Sequence, residues 1–368
     1  MARANVIVLG GGIIGCALAE ELARRGTRVT LLERGAIGAE ASSAAAGILS
    51  AHMDVPDPGP LFELCQAARR MYPRWVEHLE RRSEISVGYQ VNGLLYAART
   101  SDEERVMRRR MRWQRKRGLR VERWSRQEVR RHEPSVDGRL RCGFFFPTEA
   151  QVDNVALMRA LAVACRKAGV QVREQTAARR LLIHDGAVRG VQIEGETLEA
   201  PVVVNCLGSW ASLEGTFPLE LPIEPVRGQM LAFRVPRRLL RHTLMSEQAY
   251  AVQRRDGRLL IGSTLERAGF DKSLTLRGMH GILSGLRQLV SAVDDGAFLD
   301  AWAGLRPCTK DGLPILGPTG IAGLFVAAGH FRHGILLAPI TANLMAELLL
   351  TGRPPSDLVP CSPERFQR

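Results

Sequence analysis

The sequence predicts an α/β chain of two interleaved domains. Three observations carry this. The N-terminus runs apolar segment, glycine turn, apolar-periodic segment, apolar segment, acid within its first 33 residues. The 368 residues, with an ordinary apolar fraction of 45%, are enough for two hydrophobic cores. Strand and helix patterns then alternate along the whole chain without an internal repeat or a low-complexity linker, so the domains exchange the chain several times.

Each N-terminal residue has a physical task. Residues 4–9 (ANVIVL) form a buried strand. Gly10 permits the tight turn out of it. Gly12 lets backbone approach a pyrophosphate, and Gly15 lets the following helix, residues 16–25, pack close to the strand. The helix start offers free N–H groups and a positive dipole end to phosphates. Residues 28–32 (RVTLL) are the second strand, and Glu33 closes it where a carboxylate accepts from both ribose hydroxyls. An acid there disfavours a 2′-phosphate. This is a dinucleotide-binding βαβ unit, and NADP does not suit it.

The remaining elements follow in order. Residues 41–47 (ASSAAAG) are small and suit a second loop along a bound cofactor. Residues 62–79 read as an amphipathic helix and 93–98 as a strand. Ser101 opens a basic helix as its N-cap. Residues 154–167 are a helix; residues 170–191 hold two or three strands, with Asp185-Gly186 as a hairpin turn. Residues 202–207 (VVVNCL) are a buried strand. Residues 225–233 and 250–261 are strands, the second turning at Arg255-Asp256-Gly257. Residues 274–290 are a helix, 323–328 a strand, 329–334 a loop and 334–350 a long apolar helix.

Composition excludes several classes. No apolar stretch is expected to approach a membrane span in length and apolarity. Three glycines interrupt the N-terminal apolar segment, so it is structure rather than a signal peptide, and the expected compartment is the cytosol. The seven cysteines (16, 65, 142, 165, 206, 308 and 361) form no CxxC pair and no metal-spaced cluster with histidine. Reduced thiols and no metal are expected. The net charge is +13, and much of it falls in residues 105–131. That run could dock nucleic acid or an acidic partner. No nucleic-acid motif accompanies it, and Met107, Met111 and Trp113 mark a buried side, so it reads as a solvated helix.

The C-terminal third narrows the reading. Residues 302–317 are WAGLRPCTKDGLPILG, and residues 329–339 are GHFRHGILLAP. With GGGIIG, Glu33 and SSAAAG, these strings resemble the glycine oxidase branch of the D-amino acid oxidase family, along the whole chain and in the same order. The resemblance implies a Rossmann-like FAD-binding domain from residues 1–85, 150–218 and 303–368. An antiparallel-sheet substrate domain would come from 86–149 and 219–302. It implies FAD, held without a covalent bond. Ile13, Ile14, Glu33 and Arg34 would border its ADP half, and Ala41, Ser42, Ala46, Gly47 and Ile48 its pyrophosphate and flavin. Ala178 would lie on the adenine side. His330, Phe331, Arg332, His333, Gly334, Ile335 and Leu336 would wrap the flavin, with the next helix pointing its N-terminus at the ring.

The substrate residues implied are Arg332 as a carboxylate clamp, Arg306 as a second substrate-side arginine and Tyr250 as an active-site tyrosine. A guanidinium holds a carboxylate plane through parallel N–H···O bonds, which a lysine cannot do. The chain departs from the family pattern at five places. Ile48 and Leu265 stand where methionine occurs, Met245 where a second tyrosine occurs, His333 for an asparagine and Cys308 for a glycine. The activity implied is oxidative deamination of glycine or a similar small amino acid to the imine and glyoxylate, with O2 reduced to H2O2, serving thiamine thiazole biosynthesis. Sarcosine oxidase and a broader D-amino acid oxidase or dehydrogenase are the neighbouring readings. A flavin-dependent tRNA-modifying protein is the reading from another class. The expected partners are the amino acid, O2, further copies of the chain and transient contact with thiazole-synthesis proteins, with no nucleic acid and no membrane.

Overall fold

Strand Val6–Leu9 lies inside a six-stranded sheet ordered Ile315–Pro318, Leu324–Ala328, Val202–Asn205, Val6–Leu9, Val29–Leu32, Gln171–Arg173. All neighbours are parallel except Ile315–Pro318, which runs against Leu324–Ala328. The computed structural model describes residues 5–136, 138–212 and 220–366. Both faces of the sheet are covered, which is why its strands are continuous apolar runs. Helices Ile13–Arg24, Pro60–Ser83, Asn154–Lys167 and Gly334–Thr351 cover one face. A three-stranded sheet, Arg180–His184, Ala187–Ile193 and Glu196–Glu199, packs on the other, and Asp185 and Gly186 at positive φ make its hairpin.

The second sheet has eight strands, ordered Ala297–Thr309, Ile223–Arg234, Arg258–Gly262, Tyr250–Gln253, Thr243–Met245, Leu94–Ala98, Cys142–Phe146, Glu122–Ser125. It is antiparallel apart from one parallel pair, Thr243–Met245 with Leu94–Ala98. Helix Leu276–Arg287 packs on one face. The thirteen-residue strand Ala297–Thr309 escapes a pattern reading because Gly304 and Pro307 interrupt its alternation. The expected domain boundary at 218/219 lies outside the described residues.

The end of strand Tyr250–Gln253 in the eight-stranded sheet is tied to Ala46, strand Ala150–Gln151 and helix Asn154–Lys167 through the buried side chain of Arg254. Its Nη1 donates to Gln151 Oε1 at 2.9 Å; its Nη2 donates to the Ala46 carbonyl at 2.8 Å and to Asn154 Oδ1 at 3.3 Å. Trp302 adds a second tie, its Nε1 donating to the Ala44 carbonyl at 2.9 Å.

Two sequence expectations are corrected here. The segment Phe331–Thr351, including the C-terminal helix, is long and apolar enough to cross a membrane, with hydropathy 1.6. Its apolarity serves the core, because 67% of it is buried, largely against Ile13–Arg24 and Pro60–Ser83. The arginine run is also not one solvated helix. It comprises helix Ser101–Lys116, strand Glu122–Ser125 and helix Arg126–His132. Thr100, not Ser101, is the N-cap of the first, in a capping box with Glu103. Met107 and Met111 are buried, and Trp113 packs edge-on against Phe62.

Part of the run's charge is paired, although its arginines other than Arg110 stay exposed. Glu104, 8% exposed, accepts from Arg108 at 2.8 Å, Arg123 at 2.9 Å and Arg141 at 3.1 Å. Hydrogen bonds from Arg123, Arg141 and Arg108 hold its carboxyl down at about 2. A lowered carboxyl contributes stability above its ordinary value of 4.5 and loses it as pH falls through about 2. Glu104→Gln is therefore expected to lower the denaturation midpoint at neutral pH. It should also remove part of the stability loss between pH 4.5 and 2. Denaturant titrations of both proteins across that range measure this; identical pH profiles would remove Glu104 as the organising charge.

Candidate functional site

The glycine turn is built by close packing. Gly10 has φ 102°, and a Cβ there would lie 2.6 Å from the Cys206 carbonyl oxygen. A Cβ on Gly15 would lie 2.0 Å from the Gly10 carbonyl oxygen, so helix and strand touch backbone to backbone. Gly12 precedes helix Ile13–Arg24 without a side-chain cap of its own. Ser42, in the short helix Ala41–Ala44, accepts instead from the Ile13 N–H at 2.9 Å. Glu33 ends strand Val29–Leu32. One carboxylate oxygen accepts from the Gly11 N–H at 2.7 Å, the other from the Gly35 N–H at 2.8 Å. Arg34 lies 4.0 Å over the Trp210 ring and pairs with Glu40 at 2.9 Å.

These residues form one end of a cavity of about 470 Å³. Gly10, Gly12, Ile13, Ile14, Glu33, Arg34 and Ala178 line that end; Ala41, Ser42, Ala46, Gly47 and Ile48 follow, then Tyr250, Arg306, His330, Phe331, Arg332, Gly334 and Ile335. Gly15, His333 and Leu336 do not line it. Gly15 is packed against strand backbone, while His333 and Leu336 are buried in the core behind the loop. Cys308 is also absent from the wall.

The far end is made of side chains. Arg306, in strand Ala297–Thr309, donates to Ser263 Oγ at 2.6 Å and to the Thr264 carbonyl at 3.2 Å. Its guanidinium lies where Gly228 has no side chain; a Cβ there would sit 2.2 Å from it. Tyr250 places its hydroxyl 3.1 Å from the Met230 sulfur. Arg332 stands in the turn Phe331–His333 and pairs with Asp54 at 3.0 Å. Ile48, Met245 and Leu265 make the wall between them partly apolar. His330 donates to or accepts from Thr341 at 3.0 Å, and burial, with His333 nearby, pushes it down to about 3. Burial likewise lowers His333. Both imidazoles are held neutral, and His333 has no access to the cavity.

Asp54, Gly228, Trp210 and Ser263 are site residues that sequence reasoning missed. Asp54 lies in an irregular loop with no motif around it, and Gly228 matters only because Arg306 crosses it.

The cradle fits FAD. Two helix N-termini, Ile13–Arg24 and Gly334–Thr351, meet one cavity, with Glu33 in its wall at the end of the second strand and glycines where a Cβ would obstruct backbone.

Comparison with known proteins agrees. The family described as FAD dependent oxidoreductase matches residues 5–348. A glycine oxidase of Geobacillus kaustophilus is 35% identical over 98% of this chain and 96% of its own length. The crystal structure of glycine oxidase from that organism superposes with a TM-score of 0.94 at 35% identity, covering 98% of both chains. The bifunctional protein ThiO/ThiG of Trichormus variabilis is 35% identical over 99% of this chain, which spans only 55% of it. The chain thus covers about half the length of such bifunctional relatives. L-proline dehydrogenase from P. horikoshii, at 23% identity and TM-score 0.90, shares the fold.

Glu33 tests the nucleotide end. Glu33→Ala removes a charged acceptor at the ribose position and frees the Gly11 and Gly35 N–H groups. It should weaken FAD binding by roughly 1.5–3 kcal/mol, with much of kcat retained at saturating FAD. Titration of the flavin-stripped protein with FAD, followed by flavin fluorescence, measures this. An unchanged dissociation constant would place the nucleotide elsewhere.

Proposed function

We propose that this chain, which belongs to the FAD-dependent oxidoreductase family, oxidises glycine or a similar small amino acid to its imine with O2 reduced to hydrogen peroxide. Water then hydrolyses the imine to glyoxylate and ammonia. The observation that carries this reading is one cavity lined both by the glycine turn with Glu33 and by Tyr250, Arg306 and Arg332. The glycine oxidase relatives support the substrate class.

Bound in this cavity by the glycine turn, Glu33 and residues 41–48, FAD would supply the two-electron acceptor. The chain's own residues supply position. Arg332 carries five N–H donors; Asp54 engages it on one side, and a substrate carboxylate takes another. Arg306, hydrogen-bonded to Ser263 and Thr264, offers a second cation on the wall of the same cavity. Two guanidiniums fix the direction of the Cα–H bond, and orientation of this kind is a large part of a rate enhancement. Neither His330 nor His333 acts as base in this reading, because both are buried and neutral. The ammonium proton leaves to solvent.

A second reading rests on the apolar wall of Ile48, Met245 and Leu265, which accommodates an N-methyl group or short side chain, as in sarcosine or a small D-amino acid. Peroxide assays with glycine, sarcosine, D-alanine and D-proline rank these, and turnover with a dye but not with O2 would make the protein a dehydrogenase. The ThiO/ThiG relatives support a place for the product in thiamine thiazole construction.

Activity should rise with pH into the alkaline range, because oxidation needs the neutral amine while glycine arrives as a zwitterion. A flat kcat/KM profile with chemistry limiting would contradict the mechanism. Arg332→Ala should leave the flavin spectrum nearly intact and lower kcat/KM by about ten- to a hundredfold, the scale of losing a charge-assisted hydrogen bond from a guanidinium that is 44% exposed. Arg332→Lys should restore part of it. Turnover of glycine by Arg332→Ala within a few-fold of wild type would move the carboxylate site away from Arg332.

A further inference from the structure

Residues 50–54 follow strand Ile48–Leu49 and have no regular hydrogen-bonding pattern, yet most of their backbone groups are held by side chains. Glu149 is fully buried. One of its oxygens accepts from the Ala51 N–H at 2.8 Å; the other accepts from the His52 N–H at 2.7 Å and the Met53 N–H at 3.1 Å. The carbonyls of the same three residues accept from Gln66 at 3.1 Å, Gln114 at 2.8 Å and Arg110. The Asp54 N–H donates to Ser50 Oγ at 3.1 Å.

Glu149 is itself anchored in sheet backbone. Its carbonyl accepts from the Gly93 N–H at 2.9 Å, and it directly precedes strand Ala150–Gln151, which pairs with Ile48–Leu49. The residue after the three held N–H groups is Asp54, whose carboxylate meets Arg332 across 278 positions of sequence. A carboxylate is the side chain that can accept from three consecutive N–H groups at once. Burial raises the Glu149 carboxyl to about 7 against the pull of those N–H groups, so it is ionised in the alkaline range where the enzyme is assayed. An amide brings one acceptor oxygen and turns two donors toward N–H groups. Removing the acceptor would leave buried donors unpaired and release the backbone ahead of Asp54.

We propose that Glu149 is a positioning residue for the substrate end of the cavity: its carboxylate sets the backbone of residues 51–53 so that Asp54 holds Arg332 in the cavity wall. This rests on Arg332 as the carboxylate-binding residue of the proposed function. It goes further by placing the control of that arginine in a buried acid that does not touch the cavity.

The test is a double-mutant cycle on the FAD-loaded full chain with Glu149→Gln, Asp54→Asn and both together. Three quantities are read: KM and kcat for glycine, the dissociation constant of acetate from its perturbation of the flavin spectrum, and the thermal midpoint. Each single variant should raise KM and the acetate constant by about tenfold, with kcat within about threefold and FAD affinity retained. The double variant should match Asp54→Asn within about twofold, because coupled residues are non-additive. Effects that multiply to about a hundredfold would overturn the proposal, since independent sites add in free energy. So would a lower thermal midpoint with KM unchanged, which would make Glu149 a purely structural acid. If Glu149→Gln does not accumulate, Glu149→Asp, which keeps the charge but shortens its reach, enters the same cycle under the same expectations. Arg332→Ala, measured alongside, separates the two readings. An unchanged acetate constant there would overturn the substrate-site reading and this inference together. A weakened constant there with a multiplicative cycle would overturn this inference alone.

Discussion

The buried guanidinium of Arg254 is the contact on which the site depends. It leaves a turn of the eight-stranded sheet and ends among Ala46, Gln151 and Asn154, which belong to the nucleotide-binding half. All three acceptors are uncharged. Burial pushes the guanidinium down to about 10, so it stays protonated at neutral pH while lacking a carboxylate among these hydrogen-bond partners. A cation in that position is costly, and its Nε is buried without a partner, so the Nη1 and Nη2 bonds carry the compensation. Those bonds join the end of strand Tyr250–Gln253 in the eight-stranded sheet to Ala46, Gln151 and Asn154. The arrangement also propagates. Asn154 donates to the carbonyls of Ser42 and Ser43, and Ser42 caps the Ile13 N–H at the glycine turn. A short chain of hydrogen bonds thus links the second sheet to the helix start that faces the nucleotide.

That linkage makes the cavity composite. One end is built largely from backbone: glycines, helix N-termini and an acid that ties down the turn. Backbone groups on a rigid parallel sheet suit a ligand held in one orientation. The other end is built from side chains on strands of the second sheet, where substitution changes chemistry without disturbing the cradle. Arg306 shows the cost of this division. It can lie in the wall only because Gly228, on the neighbouring strand, has no Cβ.

Charge follows the same logic. An arginine-rich chain with net charge +13 could present a broad basic surface. Within its exposed basic run Glu104 gathers three guanidiniums, Arg115 donates to the Val121 carbonyl, and Arg110 reaches the Met53 carbonyl. Part of the basic run is therefore a structural brace between helix Ser101–Lys116, its neighbouring strands and the loop beside the cavity.

The N-terminal unit and the C-terminal loop were legible in the sequence because their contacts are local. Strand, glycine turn, helix and acid interact within about thirty residues, and their residue types allow little else. The same holds for helix Asn154–Lys167 and the hairpin at Asp185-Gly186. What only the tertiary structure decided is which side chains meet across long separations. Arg254 reaches Ala46 across 208 positions and Arg332 reaches Asp54 across 278. No periodicity encodes such pairs, because side-chain partners on different sheets are set by packing. Asp54, Gly228 and Glu149 therefore look ordinary in sequence. The sequence by itself determined a glycine-turn βαβ unit and the two C-terminal strings that carry Arg306 and Arg332. Folding decided that Arg306 meets Ser263 and Thr264, that Arg332 shares its charge with Asp54, and that His333 is turned into the core, because burial and long-range contacts are properties of the packed chain alone.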